Sequence, residues 1–204
     1  MYGAFGAVVT ALRDAVGSPY DLMPLDMMRY GEGGMAGYGS LCGALNGAAA
    51  AITLVAGEEL YKKLVTELLT WYTQTPLPTE ISNQYAANHE FLVEELKTDA
   101  VLPQSVSNST LCHVSVTNWC LASGYASGSK ERSERCGRLT GDVAAKAVEL
   151  LNVALVDGAF EPAMSLPKET EGCITCHTVG KDFQAGQFTR GKENCLSCHE
   201  SPHK

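Results

Sequence analysis

The sequence of 204 residues predicts an all-α fold, in which a helical-bundle body (residues 1–160) is followed by an irregular C-terminal tail (residues 161–204). Three observations predict this class. Apolar residues recur every three or four positions through most of the body. Runs that alternate apolar and polar residues, which are typical of strands, are nearly absent. Beyond residue 160 the helical periodicity fades, and proline, glycine and lysine interrupt the chain.

The body is expected to contain six helices. The first helix, 4–16, ends at the Gly17-Ser18-Pro19 turn. The glycine-rich loop 31–37 comes before the second helix, 41–56, for which Ser40 is a suitable N-cap. The other helices are predicted at 58–73, 81–97, 111–122 and 142–156.

Small side chains are concentrated on the second predicted helix, at Gly43, Ala44, Gly47, Ala48 and Ala51. Small residues let a neighbouring helix approach closely, so tight packing is one interpretation. The other interpretation is a cofactor pressed against this face. The sequence does not decide between them.

Composition excludes several classes of protein. Hydrophobic residues make up 45% of the chain and charged residues 19%, which is enough apolar material for a sizeable core. A net charge of −8 argues against nucleic acid or an anionic membrane surface as the main partner. The uncharged stretch 33–57 opens with a glycine loop and contains Asn46, so a buried helix fits it better than a membrane span. Residues 1–16 do not read as an export signal, and we expect any such signal to have been removed.

Two pentapeptides in the tail carry the pattern C-x-x-C-H: CITCH at 173–177 and CLSCH at 195–199. Two thiols at this spacing can add to the two vinyl groups of one porphyrin, and the following histidine then binds the iron. The sequence therefore predicts two haems c per chain. The expected attachment residues are Cys173, Cys176, Cys195 and Cys198, with His177 and His199 as proximal ligands.

Zinc and disulfides are the alternatives for these cysteines. Two C-x-x-C pairs also fit a zinc ribbon, but a four-cysteine zinc site has no use for a histidine after each pair. A disulfide between the cysteines of one C-x-x-C pair is redox-active rather than stabilising. Because the loop between the motifs is short, the two haems are expected to lie close together. Their apolar surfaces would give the tail the core that its own residues lack.

Distal haem ligands are drawn from the three histidines that remain, His89, His113 and His203. His89 is predicted in the middle of a helix, where a solvated surface position is the alternative. His203 follows His199 too closely to reach the opposite face of the same haem. It could reach a neighbouring haem or another subunit. Methionine is also a haem ligand, but a lone Met on a helix more often fills a core.

Four further cysteines lie in the body, at positions 42, 112, 120 and 136. Haem attachment implies an oxidising compartment, so disulfides are one interpretation, and an iron–sulfur cluster or another metal site is the second. If 111–122 is one helix, Cys112 and Cys120 lie about 12 Å apart along its axis, beyond the reach of two ligands on one [2Fe–2S] cluster. Either this helix breaks near 115–118, or one of the two cysteines is not a ligand.

The body motifs resemble a family of redox-active proteins named for its cysteine pattern. YGSLCGALNG at 38–47 is similar to the family's Gly-Cys-Gly-Ala-x-x-Gly element, and LCHVSV at 111–116, with Cys136 downstream, is similar to its later elements. Together with the two tail motifs, the chain resembles the split-Soret cytochrome c family over nearly its whole length.

This resemblance implies a helical homodimer with two stacked, bis-histidine haems per subunit, one distal histidine being donated across the dimer. It also implies an iron–sulfur centre, with [2Fe–2S] favoured, on Cys42, Cys112 and Cys136, and Cys120 as the fourth candidate. One departure is that the family has a further cysteine near the start of the chain, whereas residues 1–10 contain none.

The expected function is electron transfer without enzymatic activity, in the periplasm and in anaerobic respiration. Two histidine ligands per iron leave no open position for a substrate. The acidic body predicts a redox partner with a basic patch. Two alternatives remain. A five-coordinate haem could reduce nitrite, NO or peroxide, and haems could instead link subunits in a structural assembly.

Overall fold

The computed structural model describes residues 1–93, 96–156, 158 and 160–200. The chain forms two compact units, Met1–Pro162 and Ala163–Lys204, to which the names body and tail are applied from here on. The predicted all-α class is confirmed. The helices are α1 (Tyr2–Val16), α2 (Gly43–Gln74), α3 (Glu80–Ala87), α4 (Cys112–Ser123), α5 (Lys130–Leu155) and α6 (Lys168–His177).

Short elements connect these helices. Turns of 3-10 helix lie at Tyr20–Leu22, Leu25–Gly31 and Cys195–Ser197. The strands β1 (Pro76–Leu77) and β2 (Ser105–Val106) pair antiparallel, with Pro76 opposite Val106.

The core of the body lies mainly between α2 and α5. Leu45, Ile52, Leu64 and Leu68 of α2 pack in one cluster with apolar residues of α5 such as Val143. A second cluster joins α1 to the 3-10 turn at Leu25–Gly31 and to α2; its buried members are Phe5, Val8, Val9, Met28 and Ala51. Each large aliphatic side chain buried in this way contributes about 1.5–3 kcal/mol.

The two helices predicted on either side of Gly57 are the two halves of α2. Gly57 interrupts the helical backbone with φ 69° and ψ −171°, a conformation open essentially to glycine alone. On the first half, a side chain at Gly43 would overlap the carbonyl of Gly31, and one at Gly47 would overlap the carbonyl of Met1. At these two positions the small residues therefore allow close backbone packing. This agrees with the interpretation of tight packing rather than of a cofactor pressed against the helix.

Two predicted helix boundaries are wrong. Helix α3 ends at Ala87 and His89 has a left-handed φ of 55°, so His89 is not in the middle of a helix. Glu94 and Glu95, within the predicted 81–97 helix, lie outside the described residues. Helix α5 begins at Lys130 rather than near residue 142, with Ser129 as an N-cap that accepts a hydrogen bond from the backbone N–H of Arg132.

The tail is less irregular than predicted, because α6 occupies Lys168–His177. Among its described residues only Thr170 is buried, so the tail has almost no apolar core of its own. Within the described ranges of the whole chain, no helix combines the length and apolarity needed to span a membrane.

Candidate functional site

The first C-x-x-C-H motif lies in the last turns of α6. Cys173 and Cys176 are three residues apart on a helix, and residues at that spacing lie on the same face. Both thiols therefore lie on one side of α6, as attachment to a single porphyrin requires. His177 is the last helical residue and follows the second thiol directly.

His177 is held in an orientation that suits an iron ligand. Its Nδ1 lies 2.9 Å from the carbonyl oxygen of Gly186. A carbonyl only accepts hydrogen bonds, so Nδ1 carries the proton and Nε2 carries the lone pair. A backbone carbonyl is a usual partner for the free nitrogen of a metal-binding histidine, because it fixes the tautomer and the ring orientation. The ring of Phe188 lies beside the imidazole, with the centroids 6.2 Å apart.

The second motif begins on the 3-10 turn at Cys195–Ser197. The side chain of Asn194 accepts a hydrogen bond from the backbone N–H of Leu196 at 3.0 Å, which fixes the start of this turn. The backbone N–H of His199 donates to the carbonyl of Cys195 at 2.9 Å, and the His199 side chain is exposed. His203 lies outside the described residues.

The two tail motifs adjoin one another. Burial raises the pKa of the Cys195 thiol, and the interaction with the Cys173 thiol adds to the rise. The leading cysteines of both motifs are thus neighbours in the tail. Four thiols in two pairs, each followed by a histidine, fit two covalently attached haems at adjoining positions.

In the body, a short backbone pairing brings Cys42 and Cys112 together. Leu41 and Leu111 form an antiparallel bridge. The backbone N–H of Cys42 donates to Thr110 at 2.9 Å, and that of Cys112 donates to Ser40 at 2.7 Å. Residues next to a bridge point to the face opposite the bridge residues, so both cysteines lie on the same side of this pairing.

A third thiol, that of Cys136 on α5, lies in the electrostatic environment of this pair. Burial raises the pKa of the Cys112 thiol to about 11, and the charges of Cys42 and Cys136 contribute to the rise, against the opposing effect of Arg135. A bound cation would favour ionisation of the Cys112 thiol, because a thiolate is the form that binds metal.

Three buried polar side chains, Tyr72, Ser115 and Arg135, form hydrogen bonds beside these cysteines. The Tyr72 hydroxyl donates to Ser115 Oγ at 2.8 Å. Arg135 donates from Nη2 to Ser115 Oγ at 3.0 Å and from Nη1 to Cys136 Sγ at 4.0 Å. Burial raises the pKa of Tyr72 well above its usual value, and the charge of Cys42 contributes.

Arg135 is a buried cation without a carboxylate partner. It is 2% exposed, and among the described residues no carboxylate lies within 4.0 Å of its guanidinium group. Its Nε has no hydrogen-bond partner. A buried charge needs compensation. Arg135 Nη1 lies 4.0 Å from Cys136 Sγ, and its charge also acts on the Cys112 thiol and on the carboxyl group of Asp142. The chemistry of the nearby donors, three cysteine thiols, suits a sulfur-bound metal.

The cysteines do not converge on a finished metal site in this arrangement. Across the described residues, no group of three His, Cys, Asp or Glu side chains is placed to share one metal ion. All eight cysteines are free. Helix α4 runs unbroken from Cys112 to Ser123, so the first of the two alternatives, a break near 115–118, does not occur. Because of their spacing on this helix, Cys112 and Cys120 therefore do not both bind one two-iron cluster.

Two of the three histidines proposed as distal ligands, His89 and His113, lie at exposed positions in the body. His113 is exposed on the first turn of α4, and its backbone N–H donates to Gly39 at 3.0 Å. His89 is exposed, with Nε2 3.6 Å from Asp99 Oδ2.

Sequence reasoning missed Tyr72, Ser115 and Arg135. The signals for two of them were weak: Ser115 lies one helical turn beyond Cys112, and Arg135 directly precedes Cys136. No motif signal marked Tyr72.

Comparisons with known proteins identify similar chains. Residues 3–150 match the family described as "Putative redox-active protein (C_GCAxxG_C_C)". Split-Soret cytochrome c from Desulfovibrio desulfuricans is 38% identical over 200 residues, which cover 97% of this chain and 67% of that protein. A solved structure described as "A novel iron centre in the split-Soret cytochrome c" from the same organism matches with a TM-score of 0.85 and 35% identity, covering 98% of this chain and 79% of that one.

Proposed function

Because the chain belongs to the C_GCAxxG_C_C family and is a homologue of split-Soret cytochrome c, we propose that it is an electron-transfer protein with two covalently attached c-type haems. Cys173 and Cys176 would hold one haem, with His177 as its iron ligand. Cys195 and Cys198 would hold the other, with His199 as its iron ligand. The haems would supply the one-electron chemistry, and the polypeptide would hold them in place and tune them.

The observation that carries this proposal is the pair of adjoining C-x-x-C-H motifs, in the first of which His177 is oriented by the Gly186 carbonyl at 2.9 Å. A zinc ribbon would need neither histidine nor this fixed tautomer. Adjoining attachment sites suit electron exchange between two haems, since no bond has to form or break.

We assign the chain as a carrier rather than an enzyme, with a distal histidine on each haem iron. The candidates remain His89, His113 and His203. A homodimer in which one subunit donates a distal histidine to the other would meet this requirement. Six-coordinate irons would bind CO poorly, whereas a five-coordinate haem that reduces small molecules would bind it readily. CO difference spectra of the native protein therefore separate these two functions.

The body cysteines are proposed to hold non-haem iron. The related split-Soret cytochrome c is described as having a novel iron centre. In this chain Cys42, Cys112 and Cys136 share one electrostatic environment, and thiolates are the ligands that iron–sulfur clusters require. A [2Fe–2S] cluster remains our favoured form. Cys120, which lies eight residues beyond Cys112 on α4, is the least suited of the four body cysteines.

The partner is proposed to be a basic redox protein in the periplasm. The net charge of −8 favours association with a basic surface. Such association weakens as salt screens the charges, with a screening length of about 10 Å at 0.1 M ionic strength. Electron-transfer rates should therefore fall as ionic strength rises.

Intact mass spectrometry tests the haem assignment. The native chain should exceed its polypeptide mass by two haems, and a Cys173→Ala/Cys176→Ala variant should exceed it by one. A Cys120→Ala variant is the matched control and should keep both. A native chain that carried zinc and no porphyrin would overturn the proposal.

A further inference from the structure

The loop that follows α6 contains a turn that is closed by two hydrogen bonds between Asp182 and Gln187. The Gln187 side chain accepts through Oε1 from the backbone N–H of Asp182 at 2.9 Å. The backbone N–H of Gln187 donates to the Asp182 carbonyl at 3.2 Å. Within the turn, the backbone N–H of Gly186 donates to the carbonyl of Phe183 at 3.0 Å. One side chain and one backbone bond therefore tie the two ends of the turn 182–187.

This turn presents the Gly186 carbonyl to His177, the proposed iron ligand of the first C-x-x-C-H motif. The Gly186 oxygen lies 2.9 Å from His177 Nδ1. It belongs to the same planar peptide unit as the backbone N–H of Gln187, and in a trans peptide these two groups point in opposite directions. Because the N–H is bound to Asp182 on one side, the carbonyl is directed to the other side, where the imidazole lies. The position of Gln187 therefore sets the direction of the carbonyl.

The Gln187 side chain is also packed in place. Gln187 is half-buried, whereas residues 181–185 of the same loop are exposed. Its amide group lies against Gly180, where an added Cβ would overlap Oε1, Cδ and Nε2 of Gln187. Gly180 has a left-handed φ of +96°, which glycine adopts without strain. The chain thus leaves a space at Gly180 that the Gln187 amide fills.

The hydrogen bond between His177 and Gly186 has a defined effect on an iron bound by this histidine. A carbonyl that accepts from Nδ1 fixes the ring orientation and makes the opposite nitrogen a more basic ligand. A more basic ligand favours ferric over ferrous iron, because ferric iron carries the larger positive charge, and it therefore lowers the reduction potential. Loss of this hydrogen bond would raise the potential.

We propose that Gln187 is a positioning residue for the haem of the first motif, which holds the Gly186 carbonyl against His177 and keeps the reduction potential of this haem low. The inference rests on the proposed haem attachment at Cys173 and Cys176. It adds a residue outside both C-x-x-C-H motifs that acts on the potential through the histidine, without contact with the iron.

The test measures both haem potentials of the full-length protein in a redox titration followed by visible absorbance. Gln187→Ala removes the accepting oxygen, so one of the two potentials should shift upward. Gln187→Glu keeps an accepting oxygen at the same reach, and neither potential should rise. Gly180→Ala leaves Gln187 in the chain but displaces its amide, and it should raise the same potential as Gln187→Ala does.

Two matched controls separate positioning of the carbonyl from general loosening of the loop. Gln184→Ala changes the same residue type in the same turn, but Gln184 is exposed and binds Asp182 through its backbone N–H, which the variant keeps. Gly191→Ala is the control for Gly180→Ala, since Gly191 also has a positive φ (+148°) but an added Cβ would meet nothing within 4 Å. Both controls should keep the two native potentials.

The outcomes distinguish this inference from the function on which it rests. If intact masses show two haems and Gln187→Ala leaves both potentials unchanged, or if Gln184→Ala raises one of them equally, the positioning role is wrong while haem attachment stands. If Gln187→Ala loses haem, Gly180→Ala decides the question by the same criterion. If the native chain carries no haem, the proposed function and the positioning role both fail.

Discussion

Gly34, in the loop before α2, shows how closely the chain packs over Cys112. Its φ of +70° lies in the left-handed region, and a Cβ there would come within 2.7 Å of the backbone of Ser40 and 2.8 Å of Cys112 Cβ. Gly37, three residues later, also has a left-handed φ (+83°), but a Cβ there would meet nothing within 4 Å. A side chain at Gly37 would therefore meet backbone strain alone, whereas a side chain at Gly34 would meet both backbone strain and steric overlap.

Gly34→Ala should destabilise the protein more than Gly37→Ala. The Gly37 variant adds only left-handed strain, about 1–2 kcal/mol. The Gly34 variant adds overlap with immobile backbone, for which overpacking typically costs about 1–3 kcal/mol more. Chemical denaturation of both variants measures the two unfolding free energies. Equal losses would show that the loop yields at Gly34 and that the close packing over Cys112 is unimportant.

For individual residues, the sequence identified the cysteines more readily than it identified the side chains that contact them. The spacing of the tail motifs is enough to predict which cysteines would share a porphyrin, because the attachment chemistry is local. The network of Tyr72, Ser115 and Arg135 joins three helices, α2, α4 and α5. Nothing in local spacing states which faces of separate helices meet, so contacts of this kind are invisible before the fold is known.

At the scale of elements, α5 shows why hydrophobic periodicity can place a helix start too late. Its first half buries polar residues: Arg138 donates from Nε to Glu134 at 3.0 Å and from Nη1 to Asn83 at 2.8 Å. Arg138 also binds the carbonyls of Thr98 and Ala100. Charged residues on the inward face give no apolar signal, whereas the second half, around Val143 and Ala147, is apolar and was predicted.

Asp142 of α5 forms hydrogen bonds with the start of α3. Its carboxylate accepts hydrogen bonds from the backbone N–H of Thr79 at 2.8 Å, from Thr79 Oγ1 at 2.6 Å and from Ser82 Oγ at 3.2 Å. Burial nevertheless dominates and raises the pKa of Asp142 above its ordinary value. The folded protein therefore holds this proton more tightly than the unfolded chain does.

This raised pKa predicts a pH dependence of stability with a definite sign. Asp142 favours the folded state most below its unfolded pKa of about 4. Its contribution falls as pH rises toward the folded pKa and is level above it. The difference in unfolding free energy between the native protein and Asp142→Asn should therefore decrease as pH rises from the unfolded pKa of Asp142 to its folded pKa. Urea unfolding at several pH values measures it, and a difference that stays constant or increases with pH would contradict the prediction.

At the scale of the whole molecule, body and tail are stabilised by different means. The body has two clusters of buried apolar residues, whereas the described part of the tail buries Thr170 alone. Apolar tail residues such as Phe183 and Phe188 are 71% and 65% exposed. A segment that buries so little apolar surface does not recover the entropy lost on ordering. In the proposed function, the covalently attached haems supply the apolar surface that orders the tail.

Removing the attachment cysteines should therefore unfold the tail and leave the body intact. A variant with Cys173, Cys176, Cys195 and Cys198 all changed to Ala keeps both apolar clusters of the body but cannot bind haem covalently. Its amide hydrogens should exchange at native rates in α2 and α5 and at unprotected rates in α6 and the following tail, because protection follows local stability. Cys120→Ala is the control and should show native protection throughout. Native protection of α6 in the haem-free variant would mean that the polypeptide orders the tail without haem.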